Sequence, residues 1–145
     1  MKSLTLAFFL GMPVLGTAFA GERQEASAAL EECGAHPQAG MRECLQQKAR
    51  DSEAALKRAE ENASQTISKW DEDAKYVAKA RSTLKASNKA FSQYREAHCA
   101  HVATLAGGAA GNALEMRRLA CVLELNGGRA RQLSDTTSEL PLKGQ

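Results

Sequence analysis

The segment Leu84-Lys85-Ala86-Ser87-Asn88-Lys89-Ala90-Phe91-Ser92-Gln93-Tyr94-Arg95-Glu96-Ala97-His98-Cys99 decides the fold class of this chain. Its larger side chains, Leu84, Phe91, Tyr94 and His98, recur at helical spacing, and Lys, Gln, Arg and Glu fill the positions between them. Such a period marks one face of an α-helix, in which 3.6 residues make a turn. The stripe extends outward through Val77, Ala80 and Ser87 and onward to Val102 and Leu105. Asp71 or Asp73 can cap its start, because a short acidic side chain accepts from the free backbone N–H groups there. A second stripe precedes it: Met41, Leu45, Ala49, Ser52, Leu56, Ala59, Ala63, Ile67 and Trp70. One helix bent near Trp70 would satisfy both stripes, but two antiparallel helices bury more apolar surface. No run alternates β-branched residues as a strand would.

After the second helix, Ala106-Gly107-Gly108-Ala109-Ala110-Gly111-Asn112 supplies the backbone freedom of a helix–helix turn. A third helix then carries Leu114, Leu119, Cys121, Val122 and Leu125. Asn126-Gly127-Gly128 predicts a kink or a stop, since each interior glycine costs about 1 kcal/mol relative to alanine. Arg129 to Leu133 would add a last turn or two. The expected fold is therefore all-α: a small antiparallel bundle of three main helices in residues 21–135, followed by a polar, disordered tail over 136–145.

The start of the chain reads as an export signal over residues 1–20. Lys2 gives it a positive charge, an apolar run follows from Leu4 to Leu15, and Ala18-Phe19-Ala20 offers a cleavage site before Gly21. The run is shorter than the roughly 18–20 residues that span a bilayer, so no stable membrane insertion is expected once it is removed. Export implies a periplasmic or secreted protein. The exported part holds 18 basic and 17 acidic residues, a balance that gives no general attraction to nucleic acid. Its charge is uneven: Gly21 to Asp73 has 12 acidic and 7 basic residues, and the remainder has 5 acidic and 11 basic. Complementary halves of this kind would help antiparallel helices to pair.

Cys33, Cys44, Cys99 and Cys121 form an even set in a short exported chain, which reads as a disulfide framework. Four cysteines allow three connectivities. The alanine-rich stripes bury little area per residue, so the cysteines matter to stability as well as to location.

The remaining chemistry points away from catalysis. The cysteines lack C-x-x-C spacing, and His98 with His101 are more simply a stripe residue and a surface residue than metal ligands. No serine lies in a glycine elbow, and no glycine loop with lysine follows a strand. The paired carboxylates Glu31-Glu32, Glu60-Glu61 and Asp71-Glu72-Asp73 read as surface charge. The chain is expected to be no enzyme and to need no metal or other cofactor. Tyr94-Arg95 reads as scaffold: the ring buried one turn before Cys99, the guanidinium reaching an acid on the neighbouring helix.

The block Leu84 to Cys99, with its Tyr94-Arg95-Glu96-Ala97-His98-Cys99 ending, resembles the signature of the LprI-type lysozyme inhibitor domain family. Cys33, Met41 and Cys44 are similar to that family's opening, and Cys121, Arg129 and Leu133 to its close. The resemblance covers roughly residues 30 to 135. It departs from the family pattern at Asn88, where glutamine is usual, at Phe91, where tryptophan is usual, and at Asn126-Gly127-Gly128. The resemblance implies disulfides Cys33–Cys44 and Cys99–Cys121, with Phe91, Tyr94, Arg95 and Arg129 as scaffold residues. It also implies a binding protein that blocks a lysozyme or another wall-degrading hydrolase sterically, the acidic first half facing a cationic partner. A structural or envelope-stress protein, or an immunity protein against a toxin, would share the format.

Overall fold

The computed structural model describes residues 20–108 and 111–144, with the backbone alone over 20–25. The export signal expected over residues 1–20 lies outside these, save Ala20. Four helices follow in order: α1 (Ala20–Gly34), α2 (Gln38–Ser68), α3 (Ala74–Thr104) and α4 (Asn112–Ser138). The three long ones are those read from the stripes. α1 adds a short fourth, burying Ala26, Ala29 and Cys33 at steps of three and four.

Consecutive helices run antiparallel, so α2 and α4 are parallel. Their side-by-side register is visible at both ends and in the middle. Arg42 Nη1 donates to Asn112 Oδ1 (3.2 Å), Asn126 Nδ2 donates to Ser52 Oγ (2.9 Å), and Trp70 pairs with Leu142 in an isolated bridge. α2 uses the face foreseen for it: Leu45, Ala49, Leu56, Ala63 and Ile67 are buried.

On α3 the buried face is rotated from the expected stripe. Tyr94 is 53 % exposed and Leu105 is 62 % exposed, while Arg95 and Cys99 turn inward. Asn88 is likewise half-buried where Ser87 is exposed. Selecting by hydrophobicity picked Ser87 and Tyr94; the chain instead buries the polar neighbours whose partners lie on α2 and α4. Asp73 occupies the N-cap of α3, but through its backbone, its carbonyl accepting from the N–H groups of Tyr76 (2.9 Å) and Val77 (3.2 Å).

α4 is the central helix, packed against all three others. Leu119, Ala120, Cys121, Val122 and Leu123 are buried in succession, so it is covered on every side at that level. This explains why Asn126-Gly127-Gly128 does not stop it, contrary to the stop that the sequence reading allowed. The propensity cost of two glycines is small beside the packing of a surrounded helix. Gly128 itself is buried. The turn from α3 to α4 is the expected one, with Gly107 and Gly111 at φ values of 63° and 76° that favour glycine.

The segment expected as a disordered tail continues α4 to Ser138 and then meets the α2–α3 loop. The Asp71 N–H donates to the Pro141 carbonyl (2.8 Å) and the Lys143 N–H to the Lys69 carbonyl (2.9 Å).

Disulfides join Cys33 to Cys44 across the α1–α2 hairpin and Cys99 to Cys121 across α3 and α4. Both lie in one apolar cluster with Leu45, Ala49, Leu119, Val122 and Leu123. A second cluster, around Leu56, Ala63 and Leu133 with Leu84, Phe91 and Ala130, fills the other half of the bundle. Replacing Cys99 and Cys121 together by alanine is expected to lower unfolding stability by about 3 kcal/mol, the usual worth of closing a loop of this length. Urea titration of the oxidised parent against the variant measures it.

Candidate functional site

A polar layer separates the two apolar clusters. Asn126 is fully buried, and among the described residues it is the one polar residue of the buried set. Its carboxamide oxygen accepts from Arg95 Nη1 (2.7 Å), and its nitrogen donates to Ser52 Oγ (2.9 Å). Ser52 in turn donates to the Ala49 carbonyl (2.7 Å), so one chain of hydrogen bonds crosses from α3 through α4 to α2. The Arg95 side chain is only 15 % exposed and lies 4.0 Å from Glu53. Arg95 thus reaches an acid on the neighbouring helix, but its shorter bond is to Asn126. Sequence reading passed over Asn126 because it stood beside two glycines and looked like a turn.

One helical turn further along α4, Arg129 makes a second crossing. Its Nη2 donates to Ser87 Oγ (2.8 Å) and Asn88 Oδ1 (3.0 Å), and its guanidinium carbon lies 5.7 Å from the centre of the Phe91 ring. Phe91, Arg95 and Arg129 therefore belong to one interhelical seam. Tyr94 does not: its exposed ring stacks on His98, with centroids 5.2 Å apart.

The acidic and basic halves meet less than their composition suggested. Between α2 and α3, Arg95–Glu53 is the one ion pair among the described residues; Lys48–Glu32 (2.6 Å) joins α2 to α1. Lys75, Lys79, Arg81, Lys85 and Lys89 instead line the start of α3 with no acid among them, from Ala74 to Tyr94. Opposite Arg81 and Lys85, across a cleft of about 580 Å3, stand Glu60 and Glu61 of α2. Burial pushes the Glu60 carboxyl above its ordinary pKa, against the pull of Arg129 and Arg95. Glu115 is held below its ordinary value by the hydrogen bonds it accepts from Arg118.

An apolar concavity lies at the disulfide end. α1 and α3 rest side by side on α4 and leave a groove of about 580 Å3 between them. α1 contributes Leu30, α3 contributes His98 and Val102, and α4 supplies the floor with Ala113, Met116 and Ala120. From Ala113 to Leu125 the floor runs about 18 Å at 1.5 Å per residue. Arg117 and Glu124 are its charged members. Among the described residues no group of three or more histidine, cysteine or carboxylate side chains is placed to hold a metal ion. No helix among them is long and apolar enough to cross a membrane.

The family model described as Lysozyme inhibitor LprI matches residues 28–133. The chain belongs to that family. The match begins within α1 and ends near the close of α4, so the LprI domain comprises both disulfides, both polar crossings and the groove lining apart from Ala26 and Ser27. Comparisons with curated proteins and with solved structures gave no match.

Within the LprI domain, Glu60 gives a test of the interhelical cleft. Its raised pKa means that the folded state disfavours the charged carboxylate, so this group lowers stability at pH values above that raised pKa, a penalty that shrinks as pH falls through it and vanishes below the ordinary carboxyl pKa. Glu60→Gln is expected to raise the urea midpoint at pH 7, with the gain narrowing toward pH 4.

Proposed function

We propose that this protein is a non-catalytic, extracytoplasmic inhibitor that binds a lysozyme and blocks its substrate cleft sterically. The observation that carries the reading is membership of the LprI lysozyme inhibitor family across residues 28–133. The form of the molecule agrees with a binding role. Two disulfides suit an oxidising compartment outside the cytoplasm. They also hold the helices in place, which lowers the ordering cost of forming a complex. Its acidic residues are concentrated in α1, α2 and the loop that follows, where they complement a cationic hydrolase. The near-zero net charge of the exported part leaves steering to such local patches.

The expected result is a slower loss of turbidity when oxidised protein, residues 21–145, is added to lysozyme acting on cell-wall substrate. Absence of inhibition at large molar excess, across several lysozyme types, would count against the reading.

A further inference from the structure

We propose that the outer face of α3 is an electrostatic docking surface for an anionic lipid bilayer, holding the protein peripherally against a membrane. This goes beyond the lysozyme-binding reading and does not depend on it. From Ala74 to Gln93 the helix carries Lys75, Lys79, Arg81, Lys85 and Lys89 and no acid. At 3.6 residues per turn these cations fall within an arc of about 160° and span about 21 Å along the axis. The arc excludes Leu84, Asn88, Phe91 and Arg95, which meet α2 and α4. All the cations of the stripe are exposed, and α3 has no buried residue before Cys99. The face is therefore unpartnered within the chain.

The protein's own acids leave much of this charge uncompensated. Lys75 lies 3.9 Å from Asp73, with both side chains 70 % exposed, a pair that water and salt screen. Lys79, Arg81, Lys85 and Lys89 join no ion pair among the described residues. Glu60 and Glu61 stand across the cleft from Arg81 and Lys85, and Asp71-Glu72-Asp73 precedes the helix at one end. The small net charge of the exported part does not oppose such a contact, because a local patch acts within a Debye length of the surface it meets.

Shape and composition select a bilayer over other anionic partners. The cations stand on a ridge: one cleft with Arg81 and Lys85 on its wall, and another with Lys89, separate α3 from α2. A convex ridge meets a plane along its length, whereas a linear polyanion is held in a groove that tracks it. Ala78, Ser82 and Ala86 lie between the cations and keep the face low. They offer no anchor of the kind that centres a stable protein interface, where lysine is depleted. Tyr76, 50 % exposed, borders the stripe with its ring centre 4.7 Å from the Lys75 ammonium, and tyrosine is enriched at headgroup level. No helix among the described residues is long and apolar enough to cross a membrane, so the contact is one of surfaces. Each lysine or arginine brought to an anionic leaflet strengthens binding roughly fivefold.

The test is co-sedimentation of the oxidised protein, residues 21–145, with vesicles of equal parts phosphatidylglycerol and phosphatidylcholine, and with vesicles of phosphatidylcholine alone. A variant carrying Lys79→Gln, Lys85→Gln and Lys89→Gln is compared with one carrying Arg50→Gln, Arg58→Gln and Arg117→Gln. Both lose the same charge from exposed sites, and thermal melts check that both are folded. The parent should bind the anionic vesicles at about 0.05 M salt and leave them at about 0.5 M. The α3 variant should bind at least about tenfold more weakly, and the arginine variant within about threefold of the parent. Equal binding by the two variants, or no preference of the parent for anionic vesicles, overturns the assignment. Binding of soluble polyphosphate through the same lysines, without vesicle binding, also overturns it and gives the face to a linear polyanion.

Discussion

A single buried carboxamide organises this molecule. Asn126 can be fully buried only because Arg95 donates to its oxygen and Ser52 accepts from its nitrogen. An unpaired amide at that depth would cost about 1–3 kcal/mol, and the Arg95 charge would lose its closest partner as well. The bonds can form only when α2, α3 and α4 stand in one relative register. The apolar clusters on either side do not discriminate so sharply, because alanines and leucines can slide past one another at similar burial. We read the polar layer as the element that selects the register, with the disulfide at Cys99–Cys121 holding α3 and α4 together one turn away.

The same layer accounts for the passage of α4 through Gly127 and Gly128. Local propensity argues for a break, and tertiary contact decides otherwise. Leu119 to Leu123 bury the helix before the glycines, and Leu133 and the Arg129 crossing hold it after them. The small core is compensated in a similar way. Alanine lines much of α1 and α2, so each residue buries little area; two covalent links and two polar crossings supply what the area does not.

Much of this architecture is legible in the sequence. The α2 stripe predicts its buried residues, the glycine turn lies where Gly107 and Gly111 adopt positive φ, and the family resemblance extends over the matched span. What escaped was polar. Hydrophobic periodicity places Tyr94 inward and Arg95 at the edge, whereas the structure exposes Tyr94 and buries Arg95 against Asn126. A polar residue faces inward only when its partner is present, and here the partner lies 31 residues away on another helix. Asn88 and Phe91, two of the departures from the family pattern, belong to the same kind of pairing through Arg129. The apolar groove escaped for a related reason: its lining comes from all four helices, and no one stretch of chain displays it.

The groove depends on how α1 and α3 are seated on α4, so its shape and the helix register are linked. A double-mutant cycle between Arg95 and Asn126, using Arg95→Ala, Asn126→Ala and the pair, tests that dependence most directly. Urea unfolding should show strong non-additivity, with a coupling of about 1–2 kcal/mol, because either truncation alone strands its partner in the interior. Additivity within about 0.5 kcal/mol would contradict the account, for the two residues would then contribute independently and the polar layer would not govern the fold.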